Sequence, residues 1–129
     1  MKKTLLAYTA LCMLAILFTA CASGNTAGGS YAATTVHMNE MQFVPTSITI
    51  KKGDKLTLAD DVTVVHVIAN GRWDSNGTQR PAAEPGAPAV QQVQFNGNDQ
   101  QSIGPFNTTG TFHLYCTIHV NMNLMVVVQ

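Results

Sequence analysis

The chain has 129 residues, seven basic and seven acidic side chains and a hydrophobic fraction of 46%, enough for one hydrophobic core but not for two domains of ordinary size. A formal net charge of zero leaves no basic footprint for nucleic acid and argues against a polyanionic ligand.

At the start, Lys2 and Lys3 precede an apolar stretch from Leu5 to Phe18 interrupted only by Thr9, and the small residues Thr19 and Ala20 lead into Cys21. A charged n-region, an apolar h-region and a small-residue exit read as a secretory signal over residues 1–20. Its end resembles a bacterial lipobox, in which the cysteine becomes the lipidated first residue of the mature chain, with Phe18 where that pattern prefers leucine. Plain cleavage near Ala22 and an uncleaved anchor are the alternatives; the short apolar run favours a lipid anchor on Cys21 over a spanning helix. The expected location is therefore extracytoplasmic, on the periplasmic or cell-surface side of the membrane. Cysteine chemistry follows from this: Cys12 leaves with the signal and Cys21 is taken by lipid, so Cys116 is the one free thiol and no intrachain disulfide can form.

Residues 21–34 are rich in Gly, Ala, Ser, Thr and Asn without apolar periodicity, which reads as a tether with a reach of about 20 Å. The domain is expected over residues 35–129. No stretch there carries the i, i+3, i+4, i+7 apolar spacing of a long helix. Short β-type runs follow one another instead: Val36 to Phe43, Ser47 to Ile50, Lys55 to Leu58, Val64 to Ala69, Ala89 to Phe95, Gln101 to Ile103, Thr111 to Cys116 and Leu124 to Val128. Gly71 to Pro88, with three prolines and three glycines, is expected as a long surface excursion. The fold class is all-β, an antiparallel Greek-key sandwich or barrel of about eight strands.

The run Tyr115-Cys116-Thr117-Ile118-His119-Val120-Asn121-Met122 places a thiolate, an imidazole and a thioether at C-x-x-H-x-x-M spacing just after a strand. Fifty residues upstream, His66 stands alone in an apolar segment. Two histidines, one cysteine and a weak methionine donor make the ligand set of a trigonal electron-transfer copper site. Pleat parity in Thr111 to Cys116 puts Phe112, Leu114 and Cys116 on one face and His113 and Tyr115 on the other, so Cys116 ends a core-facing row and His113 is an outward strand residue. The same parity splits the HxxCxxH string from His113 to His119, which could otherwise be taken for a zinc site. Met122 is preferred to Met125 as the fourth donor, because Met125 belongs inside the closing strand.

Thr108 to Cys116, with Gly110, Phe112 and Tyr115, followed by Thr117, His119 and Met122, resembles the ligand loop of type 1 blue copper proteins, the plastocyanin, pseudoazurin and amicyanin group of cupredoxins. The resemblance spans about Val36 to Gln129. It implies a cupredoxin fold, one copper ion, His66 as the upstream ligand, and Cys116, His119 and Met122 as the loop ligands, Met122 standing six residues after the cysteine as in amicyanin-like loops. It also implies that His119 is the electron port; Tyr115, outward by parity, is a second candidate or an ordinary outward aromatic. Val67 stands where many members have the asparagine that ties the two ligand segments together, and Ile118 where a proline is common.

No catalytic triad, phosphate-binding glycine loop or further histidine cluster is present, so no enzyme is expected. The reading is a one-electron carrier, monomeric and membrane-anchored through Cys21, working between redox proteins such as cytochromes or a terminal oxidase. The alternative is an extracytoplasmic copper chaperone or reservoir, for which His37, Met38 and Met41 would offer Cu(I) contacts; an irregular first strand is the simpler explanation of those three.

Overall fold

The computed structural model describes residues 34–129; the expected signal segment 1–20, the lipidation position Cys21 and the tether up to residue 33 lie outside the described residues. Ten strands and no helix are present among them: β1 (Thr35–Met38), β2 (Phe43–Val44), β3 (Ser47–Ile50), β4 (Leu56–Asp60), β5 (His66–Trp73), β6 (Gln79–Pro81), β7 (Val93–Phe95), β8 (Gln100–Ile103), β9 (Gly110–Cys116) and β10 (Asn123–Val128). One sheet has the order β2-β1-β4-β8, the other β3-β10-β9-β5-β6, with β7 paired to β5.

Alternation in the sequence decides what faces inward. Val36 and Met38, Ile48 and Ile50, Leu56 and Leu58, Phe112 and Leu114, and Leu124, Val126 and Val128 are buried in one core, each two residues from the next in its strand. An all-β sandwich is thus what the sequence predicts, but its sheets are mixed rather than antiparallel: β1 runs parallel to β4, and β3 runs parallel to β10. The count rises from about eight to ten because one expected run breaks in two and the expected excursion contributes a strand of its own. Residues 36–43 split at Asn39, whose Oδ1 accepts the backbone N–H groups of Met41 and Gln42 at 3.0 and 2.8 Å and turns the chain back on itself. The expected excursion at 71–88 begins instead as the second half of β5, hairpinned onto β6.

Gly71 sets the course of that hairpin. Ile68 to Asn70 pair with β9, whereas Gly71 to Trp73 pair only with β6. Gly71 has φ 125, and a Cβ there would collide with the Arg80 carbonyl and lie 2.9 Å from the Ala82 nitrogen, so only glycine fits. Beyond it Trp73 reaches β10, its N–H donating to Asn123 Oδ1 at 2.7 Å and its carbonyl accepting from Asn123 Nδ2 at 3.0 Å. The rest of the excursion is also fastened. Asn70 Oδ1 accepts the Val90 N–H at 2.7 Å, Asn70 Nδ2 donates to the Pro88 carbonyl at 3.2 Å, and Glu84 holds His113 of β9 at 2.6 Å. The expected strand over residues 89–95 is consequently confined to β7.

Candidate metal centre

Cys116 ends the buried row Phe112, Leu114, Cys116, and is itself fully buried. Its backbone N–H donates to the Met122 carbonyl at 3.0 Å, closing residues 117–121 into a short loop. Within it the Met122 N–H reaches the His119 carbonyl at 3.3 Å, and Asn121 takes φ 64, a left-handed conformation that asparagine tolerates better than most residues. The loop thereby turns His119 back over the end of β9. His66 comes from the first position of β5, which is paired with Phe95, and is fully buried.

These elements bring three donors together. His66 Nδ1 lies 3.1 Å from His119 Nδ1, and His119 Nδ1 lies 3.4 Å from Cys116 Sγ. All three donor atoms fall within 4.8 Å of one another. Bonds of about 2.0 Å to nitrogen and 2.3 Å to sulfur would set donors around a small metal ion roughly 3.3–3.7 Å apart, so the separations of His119 from the other two donors are close to that spacing. Met122 is buried at the exit of the loop, whereas Met125 is 39% exposed on β10, in keeping with its assignment to the strand. A thiol, two imidazoles and a thioether mix soft and borderline donors, a combination suited to both oxidation states of copper.

Burial, opposed by the Asp60 carboxylate, holds the His66 imidazole below its ordinary pKa, with the His119 ring lowering it further. The ring is therefore kept neutral, the form that binds metal. The two ligand segments are tied through the backbone of Val67: its carbonyl accepts both the N–H of Thr117 at 2.8 Å and its Oγ1–H at 3.3 Å.

His113 points away from the cluster, as parity requires, and pairs with Glu84. Tyr115 is on the opposite face from Cys116 but is not exposed: it is 2% accessible, covered by the β5–β6 hairpin, with its ring edge-on to Trp73 at 6.1 Å and its hydroxyl donating to Gln79 Oε1 at 3.2 Å. Burial pushes its phenol above the ordinary pKa. Met38 is in the core, while His37 faces solvent against Asp61, so neighbouring residues of β1 point to opposite sides.

Two neighbours of the cluster were not singled out from sequence. Trp73 Nε1 donates to the Cys116 carbonyl at 2.8 Å, a buried bond that fastens the hairpin to the cysteine's own peptide. Asp60 ends the inward row Leu56, Leu58, Asp60 with its carboxylate 3.9 Å from His66 Nε2. Parity in β4 carries the signal for Asp60; nothing local announces Trp73, because its bond spans 43 residues.

Residues 31–129 match the model of the copper binding proteins of the plastocyanin/azurin family, and the chain belongs to that family. No curated protein sequence matches it. Among solved structures it is similar to amicyanin from Paracoccus versutus (TM-score 0.58, 20% identity, covering 80% of this chain and 87% of that one). It is likewise similar to a reduced Cu(I) form of an amicyanin mutant (TM-score 0.58, 22% identity, 80% and 88% covered). At such identities the likeness establishes the fold, a cupredoxin sandwich; the family match makes this a type 1 copper protein of the electron-transfer class.

Proposed function

We propose that the protein is a one-electron carrier in which His66, Cys116, His119 and Met122 hold a single copper ion, and that it shuttles electrons between membrane-associated redox partners. The observation that carries the reading is the convergence of two imidazole nitrogens and one thiol sulfur at the buried end of β9, with Met122 buried alongside. Bound copper supplies the one-electron couple. The protein's part is to keep the donors in place through the change: Cys116 and His66 are fixed on paired strands, and the Val67–Thr117 bonds tie the loop to the second of them. Because few groups have to move, little reorganisation accompanies transfer.

His119 is partly exposed and sits between Ile118 and Val120, each 53% exposed. From Gln101 onward there is no Lys, Arg, Asp or Glu. Exposed apolar side chains on both sides of a ligand imidazole suit brief docking of a cytochrome or terminal oxidase, with the electron crossing at His119. Delivery across a membrane and anchoring through lipidated Cys21 complete the reading, which assigns no enzymatic step to the chain. The copper-handling alternative draws no support from His37, Met38 and Met41, since Met38 is taken up by the core.

The test is the visible and EPR spectrum of the protein from Ala22 onward, loaded with Cu(II) and cycled through reduction and reoxidation. An intense thiolate charge-transfer band with narrow copper hyperfine splitting, lost and regained on cycling and absent from Cys116→Ser, is expected. A weakly absorbing complex that prefers Cu(I) and releases it readily to a competitor would transfer the assignment to copper handling.

A further inference from the structure

The Asp60 side chain is fully buried, and its Oδ2 has no hydrogen-bond partner; Oδ1 accepts only the Val62 N–H, at 3.2 Å. His66 Nε2 is also buried and also without a partner. Asp60 Oδ1 lies 3.9 Å from His66 Nε2, about 1 Å more than a hydrogen bond needs. Unpartnered buried polar atoms are rare, and one on each of two neighbouring side chains beside a ligand cluster calls for a common explanation. The chemistry of the ring provides it: His66 directs Nδ1 at His119 and the cluster, so the metal-binding tautomer carries its proton on Nε2, the nitrogen turned toward Asp60.

We infer that Asp60 is the positioning residue of the centre, accepting the Nε2–H of His66 when Nδ1 binds copper and biasing the couple toward Cu(II) through its negative charge. This rests on the copper assignment above. A carboxylate behind a ligand imidazole fixes the plane of the ring and raises its basicity, and both effects favour the more highly charged ion. Water does not touch the carboxylate directly, because the Asp60 side chain, at the end of the inward row of β4, has no solvent exposure. The rival acceptor is the Asn39 backbone carbonyl, which is also within reach of His66 but carries no charge.

The deciding experiment compares the reduction potential and the Cu(II) and Cu(I) affinities of wild type, Asp60→Asn and Asp61→Asn. Asp61 is the adjacent carboxylate, exposed and paired with His37, and serves as a control for charge alone. In Asp60→Asn the ratio of Cu(II) to Cu(I) affinity is expected to fall at least threefold, read as a rise in potential at 59 mV per tenfold change for one electron, while Asp61→Asn stays at the wild-type value. An unchanged ratio in Asp60→Asn, or an equal shift in both variants, overturns the inference. Should Asp60→Asn fail to fold, NMR of the diamagnetic Cu(I) wild type decides: a coupling across the hydrogen bond from His66 Nε2–H to the Asp60 carboxylate carbon supports it, and a coupling to the Asn39 carbonyl carbon overturns it. A wild type without the thiolate band would instead refute the copper assignment itself.

Discussion

Replacing Trp73 with phenylalanine removes one hydrogen atom that matters. The indole N–H donates to the Cys116 carbonyl at 2.8 Å in a buried setting, and the ring also packs edge-on against Tyr115. Phenylalanine keeps much of the aromatic contact but cannot donate, and the carbonyl it deserts belongs to a residue with no solvent exposure. A buried acceptor left without a partner costs about 1–3 kcal/mol. For a domain of this size that corresponds to a melting temperature lower by roughly 5–20 °C. Thermal unfolding of the metal-free protein, followed by circular dichroism, measures this directly; the copper-loaded variant should retain its thiolate band, since no ligand is altered. A melting temperature within about 2 °C of wild type would mean that the bond to Cys116 contributes nothing, and would remove the claim that the β5–β6 hairpin braces the cysteine.

Met122→Leu should retain copper and the thiolate band while its potential rises, because the loss lowers the number of donors, which Cu(I) tolerates better than Cu(II); failure to bind copper would show that Met122 is not merely a weak fourth donor. Gly71→Ala forces a Cβ into the Arg80 carbonyl at φ 125 and should destabilise the domain by about 2–3 kcal/mol or more, with hydrogen exchange accelerating first in β6; unaltered exchange in β6 would count against it. Burial raises the Glu84 pKa, but hydrogen bonds from His113 outweigh it and hold the carboxyl below its usual range. A depressed carboxyl contributes stability that is present above its unfolded value of about 4.3 and is lost as pH falls through the lower folded value. Glu84→Gln should therefore be less stable at neutral pH, with a flatter acid limb in denaturant titrations; parallel curves would exclude the contribution.

The residues that made the centre legible are those whose signal is local. Cys116, His119 and Met122 share one short loop, and the period-two count from Phe112 assigns Cys116 to the core without any knowledge of the rest of the chain. His66 was legible only because the loop supplied three donors and left a fourth to be found. Parity also placed Tyr115 correctly on the far face yet misjudged its exposure, since its cover comes from Trp73, across a hairpin that begins at Gly71. The parallel pairing of β1 with β4 was equally hidden: the pattern of Val36 and Met38 says which face is buried, but nothing about which strand lies alongside or in what direction. Side-chain turn chemistry was the remaining gap, as Asn39 divides a stretch whose apolar residues suggest continuity.

Strand β3 is an edge, and its partner is β10, with Ser47 opposite Met125 and Ile50 opposite Val128. During synthesis Ile48 and Ile50 have no strand to pair with until almost the whole domain has emerged. Pairings that join such distant parts of a chain form slowly, since the loop between them must close first. The sheet that takes in β3 therefore cannot be finished ahead of the last strand, and that half of the sandwich stays open until late. For a molecule proposed to cross a membrane before it works, that delay is an asset: the order of its strands keeps it pliable in transit and lets it harden on arrival.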